Sequence, residues 1–405
     1  MKVKSLFLMA LAASMAFVSC DKSEDLGQNT DTQLKSVTVN LPNIQKAPAG
    51  TRAVGDAVTD GSKVALKNYK VFFLNGNTEV TVPQFDGADQ KVYFDATADA
   101  ADWATNMGKY TYHFLPAAVN KVAVVGNIAT ADMTWAQVQA LTEVDVLNDG
   151  TPDADGYDDK GHPYYQLYGE SALTPASTAD DEDHNNVYTA SVNLAPRTSR
   201  FEIYGFEYTL EDGNDTYTFQ SVELNKIALS NYATKFNFMT MAAAGNRVVA
   251  PTEATAIWDW IANADASWSN SLNSLSLAQN AKKFANGGDM DADYSQGGEG
   301  ATDIITYGLT HATKVEENPE LLLSFYGVGA DGSKTPLYLR GKFTKNAAGE
   351  DLIFAANGTK NGLTTGKIYR VYFPILDNVW EQPERCIELT VTVAEWEVVP
   401  VTPEF

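Results

Sequence analysis

The last twenty residues of this 405-residue chain carry its clearest secondary-structure pattern. Between Ile387 and Val393, apolar residues alternate with glutamate and threonine, which is typical of a strand with one buried face. The apolar phase then changes, because Trp396 and Val398 fall on even numbers. A one-residue slip turns the apolar side chains to the opposite face, so we expect a bulge or break near residues 394–395 and two consecutive short strands.

An apolar chain end of this kind needs a surface that covers it. Burial of its six large apolar side chains would contribute roughly 10 kcal/mol before the entropy cost, at about 1.5–3 kcal/mol for each of the larger ones. The chain end can be the last strand of the protein's own sheet, or it can complete a sheet in another copy of the molecule by β-strand addition. The side chains concerned are Ile387, Leu389, Val391, Val393, Trp396 and Val398.

The start of the chain has the pattern of an export signal. Two lysines precede an apolar run at residues 6–18, which is too short to span a membrane. Residues 17–20, Phe-Val-Ser-Cys, resemble a bacterial lipoprotein box, in which Cys20 would be lipidated and become the new N-terminus. The acidic residues 21–25 are similar to the signals that carry lipoproteins to the surface of Bacteroidetes-type bacteria.

Cysteine content and charge limit the possible partners. Cys386 is the only cysteine besides Cys20, so the exported chain can form neither an internal disulfide nor a cysteine metal site. Asp and Glu outnumber Lys and Arg by 52 to 29, giving a net charge of −23. This balance argues against nucleic acid and anionic lipid partners and favours solubility outside the cell.

Length and patterning predict a mainly β protein with two β-sandwich domains, because 405 residues are too many for one ordinary sandwich. The interior shows short strands separated by turns, including a hairpin at Asn75-Gly76. The only helix signals are at residues 134–144 and, weakly, at residues 270–284. A polar stretch precedes the second series of strands, so the domains are expected at residues 53–195 and 196–405.

The usual catalytic motifs are missing from the sequence. It contains no GxSxG elbow, phosphate loop, HExxH or dinucleotide fingerprint. None of the four histidines has a partner at a spacing typical of metal binding or catalysis, and His113 is expected to face solvent from its strand. We therefore expect a protein without a cofactor that is not an enzyme. The other histidines are His162, His184 and His311.

Three segments could bind a ligand, although a structural role is favoured for each. The acidic residues 149–159 and 289–293 could hold calcium, but neither segment completes an EF-hand pattern, which favours solvated loops. Trp258, Trp260 and Trp268 could form a platform for stacking sugars, but aromatic residues in a β protein of this size are more often part of the core.

Arg52 is the only arginine before Arg197. It lies in a stretch of small residues with proline and glycine, which is expected to be exposed to proteases. Just upstream, residues 34–44 contain alternating apolar residues and predict a short amphipathic strand. A single cut between Arg52 and Ala53 would free this strand. Its inward-facing side chains are predicted to be Val37, Val39 and Leu41.

The two chain ends together resemble those of the fimbrillins, the FimA-like subunits of type V pili of Bacteroidetes-type bacteria. The resemblance rests on Cys20, the strand at residues 34–44, the lone Arg52 and the ending at residues 391–405. Residues 366–373 also look like the family's penultimate strand. The middle of the chain is generic β sequence.

The resemblance implies two transthyretin-like β-sandwich domains and export as an outer-membrane lipoprotein, with a signal peptide at residues 1–20. It also implies a propeptide at residues 21–52, removed by an arginine-specific protease that cuts between Arg52 and Ala53. The displaced strand would leave a groove, and the C-terminal strands of another copy or of a related pilin would fill it by donor-strand exchange. The donor side chains would be Ile387, Leu389, Val391, Val393, Trp396 and Val398.

The expected function is therefore a structural pilus subunit at the cell surface that supports adhesion. One alternative is a pilus tip adhesin, since tip subunits resemble stalk subunits but lack a donor strand. Another is a surface glycan-binding lipoprotein, which would explain the tryptophans but leave the arginine loop and the apolar tail without a role. A secreted hydrolase would need a catalytic constellation that the sequence lacks.

Overall fold

The fold is described from a computed structural model of the full chain, and it is mainly β, as the sequence predicted. Two helices are present in the part described, α1 (Trp135–Gln139) and α2 (Ala254–Ala262), and neither is long and apolar enough to cross a bilayer. The described residues are 33–42, 63–98, 100, 103, 108–128, 131–146, 165–176, 185–210, 213–264, 268–272, 275–284, 305–309, 319–346, 366–378, 386–395 and 397–400.

Fourteen strands come from the first half of the chain. They are β1 (Lys35–Asn40), β2 (Lys63–Leu66), β3 (Asn68–Asn75), β4 (Thr78–Val80), β5 (Gln84–Phe85), β6 (Ala88–Asp89), β7 (Tyr93–Asp95), β8 (Lys109–Leu115), β9 (Lys121–Gly126), β10 (Val144–Asp145), β11 (Leu167–Ala172), β12 (Thr174–Pro175), β13 (Asn186–Ser191) and β14 (Ala195–Pro196). One sheet has the order β12-β13-β1-β8, and another has the order β14-β11-β9-β3-β4 with β7 also paired to β3.

These two sheets enclose one hydrophobic core, to which β1, β8 and β13 contribute from one side and β3, β9 and β11 from the other. On β9, Val122 and Val124 face this core, while Ala123 and Val125 face a separate cluster on the outer side of their sheet. Since side chains alternate along a strand, a continuous apolar run fits a strand that is covered on both faces. This explains why β9 reads as an uninterrupted apolar segment.

The second half of the chain contributes thirteen strands. They are β15 (Ser199–Thr209), β16 (Ser221–Ser230), β17 (Tyr232–Phe236), β18 (Ala243–Val248), β19 (Ser269–Ser271), β20 (Ser276–Ala278), β21 (Lys282–Phe284), β22 (Ile305–Leu309), β23 (Glu320–Val328), β24 (Lys334–Asn346), β25 (Lys367–Leu376), β26 (Cys386–Glu395) and β27 (Glu397–Pro400). Ten of them form one sheet in the order β19-β16-β23-β24-β26-β25-β15-β21, with β20 also on β16 and β22 also on β15.

This large sheet curls around the second core. Phe201 and Ile203 from β15 and Val222 and Leu224 from β16 belong to the same buried cluster, although these strands lie at opposite sides of the sheet. The helix α2 covers part of the outer face through Ile257 and its neighbours. The second half of the chain therefore has a core of its own.

The hairpin β17–β18 joins the two halves, because β17 also pairs with β10. Nearby, Arg197 donates hydrogen bonds from Nε to the carbonyl oxygen of Phe238 at 2.9 Å and from Nη2 to that of Met239 at 2.6 Å. Its guanidinium carbon lies 4.9 Å from the ring centroid of Tyr168. The hydroxyl of Tyr168 donates to Glu170 at 2.6 Å, and this bond is the main cause of the lowered pKa of Glu170.

Most local predictions hold, but the helix signals were only partly right. The predicted hairpin is present, with Asn75 of β3 paired to Thr78 of β4. The helix predicted at residues 134–144 is the short α1, capped by Thr134. The helix predicted at residues 270–284 is wrong, because this segment forms the edge strands β19, β20 and β21. Its few leucines reach the core through pairing with β16, without a helical face.

Candidate functional site

The strand β1 lies inside its sheet, between two strands that are distant in sequence. It pairs in parallel with β13 along six residues, Lys35 to Asn40, and antiparallel with β8. We call this position of β1, between β8 and β13, the β1 slot. Among the described strands, no other pairing joins β8 to β13, so removal of β1 would split the sheet and leave two open strand edges.

The inward face of β1 is apolar and closed to solvent. Val37, Val39 and Leu41 are 0%, 3% and 1% exposed and belong to the first core. Leu41 lies just past the strand, and its N–H donates to the carbonyl oxygen of Gly108 at 2.7 Å. Opposite Val37 on β8 is the fully buried Tyr112, whose hydroxyl pKa is raised by that burial. The floor of the β1 slot is therefore formed by apolar and aromatic side chains.

The other face of β1 is held by side-chain hydrogen bonds. The hydroxyl oxygens of Thr38 and Thr111 lie 2.9 Å apart across β1 and β8. Ser36 is only 2% exposed, and its Oγ lies 3.3 Å from Nδ1 of His113 and accepts from Nδ2 of Asn185 at 3.3 Å. Positions 36 and 38 of the β1 slot thus favour hydroxyl side chains.

His113 is half-buried, which differs from the predicted solvent-facing side chain. Its ring stacks on Phe85, with centroids 4.3 Å apart and planes inclined by 15°. The hairpin β5–β6 that carries Phe85 folds over this part of β8, and simple strand alternation does not reveal such a covering loop. His113 therefore supports Ser36 from the outer face of the sheet.

The C-terminal strands have their places in the same molecule. The strand β26 lies between β24 and β25, parallel to the first and antiparallel to the second. The strand β27 pairs in parallel with β2, from Lys63 opposite Glu397 to Leu66 opposite Pro400. The prediction of two consecutive strands is confirmed, since β26 pairs with β24 and β25 whereas β27 pairs with β2. In this structure residues 386–395 and 397–400 belong to sheets of the protein itself, as the first of the two alternatives predicts.

These assignments place most of the predicted donor side chains on known strands. Val398 is on β27, whereas Trp396 lies outside the described residues, and so do Cys20, Arg52 and Ala53. The two acidic segments considered for calcium lie wholly outside them, as do the three remaining histidines. The donor positions on β26 are Ile387, Leu389, Val391 and Val393.

The three tryptophans considered as a sugar platform do not share one face. Trp258 makes an edge contact with Tyr326, with ring centroids 5.0 Å apart. Trp260 and Trp268 form a separate tilted pair at 4.7 Å, and both lie half-buried against the cluster under α2. Trp260 and Trp268 therefore help to pack α2 against the outer face of the large sheet. Within the described ranges, no group of three or more His, Cys, Asp or Glu side chains could hold a metal ion.

A buried acidic site at the end of β25 was not anticipated from the sequence. Asp377 is 0% exposed and accepts hydrogen bonds from the hydroxyl of Tyr208 and, at 2.8 Å each, from the backbone N–H and the hydroxyl of Thr218. Burial, followed by the bond to Asp377, raises the pKa of Tyr208. This network fixes the end of β25 just before the segment that leads to β26.

Comparison with known proteins gives structural neighbours but no sequence match: no family model and no curated protein matches the chain. The chain is similar to a candidate cell adhesion protein from Bacteroides eggerthii, with 15% identity, 91% of this chain and 98% of that chain covered, and a TM-score of 0.49. It is also similar to a candidate cell adhesion protein from Parabacteroides distasonis, with 13% identity, 92% of this chain and 99% of that chain covered, and a TM-score of 0.47. A third similar structure is a fimbrilin (FimA) from Porphyromonas gingivalis, with 13% identity, 91% of this chain and 99% of that chain covered, and a TM-score of 0.45.

Two of these neighbours are candidate cell adhesion proteins and the third is a fimbrilin. All three TM-scores are below 0.5, so the role of this chain must be inferred from the geometry of the β1 slot and of the C-terminal strands.

Proposed function

We propose that this protein is a pilus subunit that is exported as a lipoprotein through Cys20 and activated by an arginine-specific cut between Arg52 and Ala53. The cut releases β1, and the C-terminal strands of a neighbouring subunit take its place, so that subunits polymerise at the cell surface and support adhesion. Before the cut, the lipid would hold the precursor at the outer membrane. The partners are other copies of the chain or related pilins.

One observation carries this proposal: β1 is an interior strand, and the chain that joins it to β2 runs through residues 43–62, which include Arg52. A cut there leaves only non-covalent contacts to hold β1. Burial of Val37, Val39 and Leu41 contributes about 5–8 kcal/mol before the entropy cost. An empty β1 slot would expose this apolar floor and two unpaired strand edges, which favours refilling by another strand.

The donor role requires the C-terminal strands to leave their own sheets. The strand β27 is held by four register partners on β2 in a two-stranded parallel pair, an arrangement of low intrinsic stability. The strand β26 is interior to a large sheet, so its release is the more costly step. Head-to-tail donation does not close on itself and would build a filament.

The interior position of β26 favours a second candidate, a tip subunit that accepts a donor strand but does not donate one. Such a subunit would lose β1 in the same way and would end the filament. The tryptophan arrangement gives no comparable support to the glycan-binding alternative, because Trp258 faces a different partner from Trp260 and Trp268.

The test uses protein that starts at Asp21, with Arg52→Ala as the matched control. Trace arginine-specific protease should produce Ala53 as the new N-terminus and a ladder of oligomers, whereas Arg52→Ala should remain uncut and monomeric. A monomer that binds an added peptide of residues 386–400 after the cut would indicate the tip subunit. A cut protein that neither polymerises nor binds this peptide would refute strand exchange.

A further inference from the structure

The hairpin between β3 and β4 contains a chemically reactive pair of residues, Asn75 and Gly76. Asn75 is the last residue of β3 and pairs with Thr78, the first residue of β4. Gly76 begins the two-residue loop with a φ of 61°, as is typical of glycine at the first position of a type II′ turn. Both residues are exposed to solvent. An exposed asparagine that precedes glycine can react without any enzyme.

This reaction is deamidation, one reason why asparagine is a thermolabile residue. The backbone nitrogen of Gly76 can attack Cγ of Asn75, because glycine has no Cβ to hinder the approach. The new N–Cγ bond closes a succinimide ring, the bond between Cγ and Nδ2 breaks, and Nδ2 leaves as ammonia with the proton of the Gly76 amide. Water then opens the ring and leaves aspartate or isoaspartate at position 75. The reaction requires no oxidant, reductant or cofactor.

In the folded chain, one side chain holds both reacting groups. The N–H of Gly76 donates to Oδ1 of Asn120 at 3.0 Å, and Nδ2 of Asn120 donates to Oδ1 of Asn75 at 3.3 Å. We call these two hydrogen bonds the Asn120 clamp. The backbone of Asn120 is itself fixed, because its N–H donates to the carbonyl oxygen of Leu74 at 2.9 Å and its carbonyl oxygen accepts from the N–H of Leu173 at 3.0 Å.

The Asn120 clamp opposes the attack at both reacting groups. The nitrogen of Gly76 becomes a nucleophile only when it loses its proton, and this proton is bonded to Asn120. The carboxamide of Asn75 must turn its Cγ toward that nitrogen, but its oxygen is held by Asn120. Pairing with Thr78 also fixes the backbone of Asn75. The reaction therefore requires a local opening of the hairpin end.

We propose that Asn75 is a site of spontaneous deamidation and that the Asn120 clamp slows this reaction in the folded protein. The inference is independent of the strand exchange proposed above, because it concerns only β3, β4 and the residue before β9. Isoaspartate would lengthen the main chain between β3 and β4 and disturb their register. Glu79 of β4 accepts a hydrogen bond from the N–H of Trp135, the first residue of α1, at 2.7 Å. The damage would therefore extend from the hairpin to α1.

Peptide mapping by mass spectrometry tests whether Asn75 is a reactive site. Protein that starts at Asp21 is kept in mildly alkaline buffer, either folded or in urea, and the converted share of Asn75 is followed over time. The three other Asn-Gly pairs of the sequence, at Asn286, Asn357 and Asn361, serve in urea as references for an unrestrained site. Asn75 should convert as fast as these references in urea and much more slowly in the folded protein. An unreactive Asn75 in urea, or equal rates in both states, would overturn the proposal.

Substitution of Asn120 tests the clamp. This side chain is exposed, so Asn120→Ala should leave the core intact. The folded variant should convert Asn75 about tenfold faster than the parent protein, because both hydrogen bonds are lost. Asn120→Asp should give a smaller increase, because it keeps the acceptor for Gly76 and loses only the donor to Asn75.

Asn77→Ala is the matched control, because Asn77 is the second residue of the same loop and takes no part in the Asn120 clamp. It should convert Asn75 at the parent rate. All proteins are compared well below their melting temperatures, so that general unfolding does not contribute. If Asn120→Ala and Asn120→Asp both react at the parent rate, or if Asn77→Ala reacts as fast as Asn120→Ala, the role of Asn120 is overturned.

Discussion

The substitution Val37→Ala should loosen β1 in its slot. Val37 is 0% exposed at the centre of the inward face, and alanine removes two methyl groups from this site. At about 0.8 kcal/mol for each buried carbon, plus a contribution from the cavity, the free energy of unfolding of the uncut protein should fall by about 2–3 kcal/mol. After the cut, a loss of 2 kcal/mol corresponds to roughly thirtyfold weaker retention of the fragment that carries β1.

Retention can be measured directly. Protein that starts at Asp21 is cut at Arg52, and the share of the 21–52 fragment that co-elutes with the body is followed by size exclusion and mass spectrometry. Val37→Ala should release the fragment and form oligomers sooner than the parent protein. The matched control is Thr38→Ala, which loses one exposed hydrogen bond worth about 0.5–1.5 kcal/mol at most. Equal retention in both variants would refute the view that the inward face holds β1.

Three further predictions concern the rest of the fold. Asp377→Ala should lower the free energy of unfolding by about 3 kcal/mol, because it removes the acceptor of the Thr218 backbone N–H and leaves the hydroxyl of Tyr208 with the carbonyl oxygen of Phe219 alone; an unchanged denaturation midpoint would contradict this. The hydrogen bond from Tyr168 is the main cause of the lowered pKa of Glu170, so this carboxylate adds stability that is present above pH 4.5 and is lost as the pH falls through the lowered pKa. Glu170→Gln should therefore lose less melting temperature than the parent protein as the pH falls below 4.5, and an equal loss in both proteins would contradict the role of Tyr168. Gly169→Ala should cost about 1–3 kcal/mol, because the new methyl group would clash with a neighbouring backbone carbonyl; wild-type thermal stability would show that the segment can move aside.

Local pattern was enough to find β1 and the break in the chain end. The alternation of Val37, Val39 and Leu41 predicted an inward apolar face, and these side chains are buried. The change of phase after Val393 predicted two strands, and β26 and β27 are separate. Both features follow from the period of two along a single strand, so they need no knowledge of distant residues.

Pairing between distant strands could not be read from the sequence. The neighbours of β1 in the sheet come from β8 and β13, far along the chain, and many short β segments could have served equally well on local propensity. The buried carboxyl group of Asp377 was missed for the same reason, because its partner Tyr208 is on another strand.

The helix α2 was not among the helices predicted from the sequence. Its buried residues Ile257 and Ile261 have the helical spacing of four and face the sheet. The weak signal at residues 270–284 shows the opposite error, since a few leucines in a serine- and asparagine-rich segment gave an accidental helical spacing. In both places packing against the large sheet decided the outcome.

The two-sided pairing of β1 has a mechanical consequence. A strand bonded along both edges and pulled along its own axis must shear its hydrogen bonds on β13 and β8 together, whereas a strand pulled away from one end loses them one at a time. A joint of this geometry resists tension far better than it resists peeling. If subunits are linked through the β1 slot, a pull along the axis of the inserted strand would load each joint in its strong direction.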